Sequence, residues 1–268
     1  MLWTHFHRSL RAGKPVRLTV TSTVKNAPAS VARCVRSVRD QSHGDLVHHV
    51  FCVDGPSFRS AVRAAESDPR VRVLRGEPES AMSLAHLLPV WRSLDPESVV
   101  VWLDGDDWLA VPHALAIAAR AHASGALVTY GSFLLPDGTL GFASQAGERP
   151  RREPWCTTHL RTFRAGLVQA MRDEDFRDAD GSYSGLVTDL RVMFGAMELA
   201  GPKKCRFIPN ALVVYNVQTS FTVNASPEER ARERLEEARV RAMAPYQTLD
   251  VLPPDEPPTK PESPGARP

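Results

Sequence analysis

The chain lacks most of the features that would place it at a glance. It has four cysteines in 268 residues, Cys34, Cys52, Cys156 and Cys205, spread so widely that no CxxC or Cys/His spacing occurs. That excludes a zinc module read from spacing and favours four reduced thiols, with a bridge between two of them left open. No apolar run approaches the length of a membrane span. The opening "MLWTHFHRSLRAGKP" has no apolar core of signal-peptide length. The chain is therefore expected in the cytosol, with contact at a membrane face left open. The formal net charge of +2 is too small to demand a polyanionic partner. There is no internal repeat, and "TSTVKNAPAS" after the first expected strand contains no glycine to cradle phosphate.

What is present is an alternation. "VRLTVTS" reads as a strand, β-branched and ended by polar residues. In "NAPASVARCVRSVRDQS", Val31, Cys34, Val35 and Val38 repeat at helical spacing. Strand "LVHHVFCVDG", helix "FRSAVRAAES", strand "VRVLRG" and helix "SAMSLAHLLPVWRSL", with Pro89 expected to kink it, continue the pattern. Strand "SVVVWLDGDD", a helix beginning at Pro112 and strand "ALVTYGSFLL" complete it. The reading is an α/β fold, a mostly parallel twisted sheet with helices on both faces, whose ligands sit beyond the carboxyl ends of the strands. The second half reads as a loop and helix over "THLRTFRAGLVQAM", an acidic loop, a helix over "LVTDLRVMFGAMELAG" and short strands in "CRFIPNALVVYN". A charge-laced helix capped by Ser226 and Glu229 follows, then a Pro-rich tail expected to be disordered.

The chemistry concentrates in "VVVWLDGDDWLAVP". A buried strand delivers Asp104, Asp106 and Asp107 to one point. Clustered carboxylates repel unless a cation neutralises them, and oxygen ligands suit Mg²⁺ or Mn²⁺, whose open positions phosphates can fill. An idle, solvated acidic turn competes with this reading. An EF-hand fails, because leucines (Leu109 and Leu115) stand where its glycine and glutamate belong. An aspartyl-nucleophile enzyme would carry its D-x-D after the first strand, not the fourth.

The ordered set "VARCVRSVRDQ", "VDG", "LDGDDWL", "VTYGSF", "WCTTHLRTFRAGL", "DADGSYSG", "MELAG" and "FIPNALVVYN" resembles family 2 glycosyltransferases of GT-A fold, in particular a bacterial surface-polysaccharide subgroup, over Val16 to Asn216. The resemblance implies a nucleotide-sugar donor, with a UDP-sugar favoured, and Mn²⁺ or Mg²⁺. The loop Thr21 to Asn26 would border the nucleotide, Asp54 would contact base or ribose, and Asp104 ribose or metal. Asp106 would be the main metal ligand, and Asp107 would assist it or start the next helix. His159 would ligate metal or touch phosphates, and Arg161 would clamp the diphosphate. Asp189 would be the base of an inverting transfer, with Glu198 its competitor, although Glu198 is better read as a helix-end partner of an arginine.

The implied organisation is an extension over 1–15, a nucleotide-sugar half over 16–140 and an acceptor half over 141–225. A charged helix over 226–250 and the tail over 251–268 follow. "VDGPS", "VKNA" and "GEPESAM" depart from the family pattern on the nucleotide side. The acceptor is expected to be a hydroxyl, a glycan or lipid-linked glycan being favoured over a protein hydroxyl. "RPRRE" and "KKCR" could meet nucleic-acid phosphates, a reading not favoured, and the oligomeric state is not legible. A non-catalytic nucleotide-sugar or glycan binder of the same fold is the alternative. A nucleotidyl- or phosphotransferase is a third.

Overall fold

The computed structural model describes residues 16–24, 27–53, 55–65, 68–76, 84–142, 144–219, 221–250 and 252. The 1–15 extension, Asn26, Asp54 and nearly all of the tail lie outside them. In chain order the elements are β1 Leu18–Val24, α1 Pro28–Arg39, β2 Leu46–Val53, α2 Pro56–Ala65, β3 Val71–Gly76, α3 Leu84–Arg92, β4 Val99–Trp102, β5 Trp108–Leu109, α4 Ala114–Ala123, β6 Val128–Leu134, β7 Thr158–Arg164, α5 Ala165–Gln169, α6 Thr188–Ala200, β8 Cys205–Val214, α7 Phe221–Asn224 and α8 Pro227–Ala242.

One sheet takes all eight strands in the order β3-β2-β1-β4-β7-β6-β8-β5. The first four are mutually parallel. β7 runs antiparallel to both β4 and β6, β8 runs parallel to β6, and β5 runs against β8. β4 is wholly buried, as its unbroken apolar run requires. Its residues alternate between two cores: Val100 and Trp102 face Trp91, Phe163 and Met193, whereas Val99, Val101 and Leu103 face Val20, Val38 and Leu115.

The amphipathic readings of α1 and α3 hold. Val31, Cys34, Val35 and Val38 are buried on one side of α1, and Leu84, Leu87, Leu88 and Trp91 on one side of α3, which continues through Pro89. Ser226 and Glu229 form the expected capping box of α8.

Four local expectations are corrected. "THLRTFR" is strand β7 rather than a helix start, because its alternate residues face opposite sides of a fully occupied sheet position between β4 and β6. "CRFIPNALVV" is one ten-residue strand, bent by a register shift against β6, instead of several short ones. α4 starts at Ala114, past Pro112, whose carbonyl accepts the Ser42 amide at 2.8 Å. Thr21 belongs to β1 rather than to a loop. Its polar residues extend the strand with their hydroxyls partnered inside: Thr21 Oγ1 accepts the Trp91 indole N–H at 3.1 Å, and Ser22 Oγ pairs with His48 Nε2 at 3.0 Å.

Candidate functional site

The three acids follow directly from β4. Leu103 and Gly105 continue the ladder by donating to the carbonyls of Thr21 and Thr23 at 3.1 and 3.0 Å. The spacer must be glycine: a Cβ on Gly105 would stand 2.7 Å from the Thr23 oxygen and 2.9 Å from Val24 Cβ. The chain then turns, with the Asp107 amide bonded to the Asp104 carbonyl at 3.0 Å.

β7 supplies the opposing wall. Arg161 pairs in register with Trp102. The same antiparallel register carried two residues further sets His159 across from Asp104, and the strand period puts both side chains on one face. The His159 ring stacks on Tyr215 (centroids 5.2 Å apart, planes 27°) and meets the edge of Phe133 at 5.8 Å. The ring is thereby held in one orientation.

One ligand atom each from Asp104, Asp107 and His159 lies within 4.8 Å of the others. Asp107 is fully buried. Its Oδ1 accepts the Asn216 amide at 2.8 Å, whereas its Oδ2 has no hydrogen-bond partner and sits 3.7 Å from His159 Nδ1, which is likewise orphaned. Burial, then the charges of Asp104 and Asp106, push the Asp107 carboxyl well above its ordinary range. Burial and the Arg161 cation push His159 down to about 3, so its imidazole is neutral at physiological pH. A buried carboxylate oxygen and a neutral imidazole nitrogen, both unpartnered and joined by Asp104, fit a divalent cation in ligand type.

Two expectations change here. Asp107 does not start the next helix, which begins seven residues later at Ala114. It points into the cluster instead, because the turn at Gly105 directs it inward, where the Asn216 amide fixes it. Asp106 lies beside the cluster, half-buried, and is not one of its three members. Burial and the charge of Asp104 also push its carboxyl up.

Arg161, expected to clamp a diphosphate, is engaged by two carboxylates. Its guanidinium, almost wholly buried, donates to Asp104 Oδ2 at 2.7 Å and to Asp189 Oδ2 at 3.1 Å, and lies 4.8 Å over the Trp102 ring. Asp189 stands in the first turn of α6, and the residue before that helix, Val187, has a left-handed backbone (φ 46°), a costly conformation for a β-branched side chain. Burial pushes the Asp189 carboxyl up, the Arg161 cation opposes that shift, and Asp104 adds to it. Asp189 is thus a half-buried carboxylate with raised proton affinity, one guanidinium away from the cluster.

The remaining candidates separate. Glu198 lies nine residues further along α6, about 14 Å of helix, where it pairs with Arg151 Nε at 2.8 Å and accepts the Tyr246 amide at 3.1 Å. It is the helix-end partner of an arginine. Thr21 is internal, its hydroxyl occupied by Trp91. Asn26 and Asp54 fall outside the described residues. Sequence reasoning assigned no role to Tyr215 or Asn216, although both stand in the quoted segment "FIPNALVVYN".

The profile of Glycosyl transferase family 2 matches residues 19–179. The chain belongs to that family. Solved structures agree on the GT-A fold. Staphylococcus aureus TarS 1–349 in complex with UDP aligns at TM-score 0.60 and 16% identity, covering 85% of this chain and 64% of that one. The same fragment in complex with UDP-GlcNAc aligns at 0.58 and 13%, covering 84% and 66%. The mannosyltransferase PcManGT from Pyrobaculum calidifontis, in complex with GDP-Man and Mn²⁺, aligns at 0.52 and 13%, covering 89% and 70%. The chain thus spans just under two thirds of the TarS fragment. A comparison with curated protein sequences finds no match. Among the described residues, no helix is long and apolar enough to cross a membrane.

Proposed function

We propose that this family 2 domain transfers a sugar, with inversion, from a nucleotide-sugar to a hydroxyl acceptor, a glycan or lipid-linked glycan being favoured. The observation that carries the proposal is the pairing of Asp189 and Asp104 on one buried guanidinium, next to the orphaned oxygen of Asp107 and nitrogen of His159. A carboxylate of raised proton affinity beside these unpartnered metal-ligand atoms supports the reading. Family membership and solved relatives in complex with UDP, UDP-GlcNAc, or GDP-Man and Mn²⁺ support it.

Asp104, Asp107 and His159 would hold Mn²⁺ or Mg²⁺, with Asp106 at its edge; a cation there supplies positive charge for a diphosphate leaving group. Asp189 accepts the proton of the acceptor hydroxyl. The acceptor oxygen then forms its bond to the anomeric carbon, and the bond from that carbon to the diphosphate oxygen breaks. The electron pair leaves with the nucleoside diphosphate. Arg161 keeps Asp189 in place and ionised by opposing the effect of its burial. Residues 16–140 would carry the donor and 141–225 the acceptor.

The test is a thermal-shift screen of nucleotide-sugars with Mn²⁺, followed by release of nucleoside diphosphate from the best ligand. Sustained, metal-dependent release that is lost in Asp104→Asn and Asp189→Asn is the expected result. Binding of a nucleotide-sugar with no release under any acceptor or metal would establish the non-catalytic alternative.

A further inference from the structure

A cavity of about 870 Å³ opens away from the acid cluster, at the opposite end of α6. Its walls are the 145–152 segment, the last turn of α6, the start of β8, and the end of α8 with the chain after it to Thr248. Small-molecule sites span roughly 300–1,000 Å³, so its size suits a compact organic ligand. Its floor is apolar, formed by buried Tyr130 and Met197 and half-buried Cys205.

The charges around it divide into used and unused. Arg151 donates from Nε to Glu198 and from Nη1 to the Val240 carbonyl at 2.6 Å. Arg241 donates to Glu237 and to the carbonyls of Arg151 and Glu153. Both are fixed parts of the wall. The Glu153 carboxylate accepts the backbone amides of Gly147 and Arg149. Arg149 and Arg152 are exposed and line the cavity, and no ion pair among the described residues engages either guanidinium. Lys203 and Lys204 stand in the turn beside the lining residue Pro202, likewise without an ion pair among the described residues. The lining acids are Glu198, engaged by Arg151, and exposed Glu148. Arg149 and Arg152 thus stand at the cavity over its apolar floor, with Lys203 and Lys204 in the chain between the lining residues Pro202 and Cys205.

We propose that this cavity binds an organic phosphate: an anionic head held by Arg149 and Arg152, with its organic part on the Tyr130–Met197 floor. Paired guanidinium forks match phosphate geometry, and the floor favours an attached organic group over the bare ion. A soluble phosphorylated metabolite or glycan and a phospholipid headgroup share this chemistry. The inference does not depend on the sugar-transfer reading, because Asp104, Asp107 and His159 take no part in it.

The test uses the full chain in EDTA, so that no metal-dependent diphosphate site can form. Decyl phosphate below its micellar concentration, followed by calorimetry, is expected to bind at one saturable site and more tightly than inorganic phosphate. Arg149→Gln/Arg152→Gln is expected to weaken it roughly tenfold or more, by loss of two charge-assisted contacts. The charge-matched control Arg59→Gln/Arg63→Gln, on exposed positions of α2, is expected to leave it unchanged. Both pairs are at the surface, and unchanged melting curves verify folding. Flotation with phosphatidylglycerol vesicles identifies the source: co-flotation lost in the Arg149/Arg152 variant points to a lipid headgroup, and binding of decyl phosphate without flotation to a soluble phosphate. Absence of saturable binding, or equal weakening in the two double variants, overturns the proposal.

Discussion

Replacing Arg161 with methionine tests the site most directly, because that one side chain joins its two functional halves. In the folded chain the guanidinium makes two charge-assisted hydrogen bonds, to Asp104 and Asp189, each worth roughly 1.5–3 kcal/mol when shielded from water. The two carboxylate side chains are 25% and 28% exposed, so each bond is discounted for screening to about 1 kcal/mol. The stacking over Trp102 adds about 1 kcal/mol. A loss of about 3 kcal/mol follows, which for a chain of this size lowers the melting temperature by roughly 6–12 °C. The effect on rate has a separate signature. Arg161 opposes the upward push of burial on the Asp189 carboxyl, so its removal raises that group's proton affinity further. The proposed transfer needs the ionised carboxylate, so its rate would fall as pH falls through that value. The acid limb of the kcat profile therefore moves to higher pH, and the variant loses more activity at about pH 6 than at about pH 8. With the base also mispositioned, kcat falls by about a hundredfold. Arg161→Lys keeps the charge but lacks the planar fork that reaches two carboxylates; it should recover stability more than rate. Donor turnover across a pH series, with melting curves alongside, provides the readout. Wild-type kcat and an unmoved acid limb in Arg161→Met would refute the coupling of Asp189 to the cluster.

Four other substitutions test the rest. Asp107→Asn removes a buried, repelled charge and should raise the melting temperature in EDTA while weakening Mn²⁺ binding. Asp106→Asn should weaken Mn²⁺ binding less, and the reverse ranking by calorimetry would restore Asp106 as the main ligand. Gly105→Ala forces a Cβ against the Thr23 carbonyl and should cost about 1–3 kcal/mol in a denaturant titration while disturbing metal affinity, unlike Gly44→Ala, where a Cβ meets nothing within 4 Å. His48 and His122 are buried and pushed from 6.5 to about 3. A base whose folded value is depressed contributes stability above its unfolded value and loses it as pH falls. Each should thus remove about 2 kcal/mol between pH 6.5 and pH 5, and His48→Gln should flatten the pH dependence of denaturant midpoints; an identical slope in the variant would count against this account.

Local periodicity made the first half of the fold legible. The spacing of Val31 to Val38, the apolar run into Asp104 and the Ser226–Glu229 cap each depend on near neighbours, and the structure agrees with all three. The errors fell where distant chain decides. "THLRTFR" carries no strong strand signal, and it is a strand because β4 and β6 leave a place between them. The carboxylate partners of Arg161 were not legible because they lie 57 and 28 residues away. Asp107 was read as assisting the metal or starting the next helix, and only the distant Asn216 amide and His159 ring show which way it points.

The bond from Asn216 to Asp107 spans 109 residues. During synthesis the acidic motif leaves the ribosome long before the amide that orients it, at a time when β7 and β8 do not yet exist to wall it in. Contacts of such separation form late and slowly. Until then the carboxylates stand as a hydrated, mutually repelling group at the end of an incomplete sheet. A nascent chain cut before Cys205 would keep the whole motif and have no assembled centre, so metal affinity acquired during translation would time the arrival of the final strand.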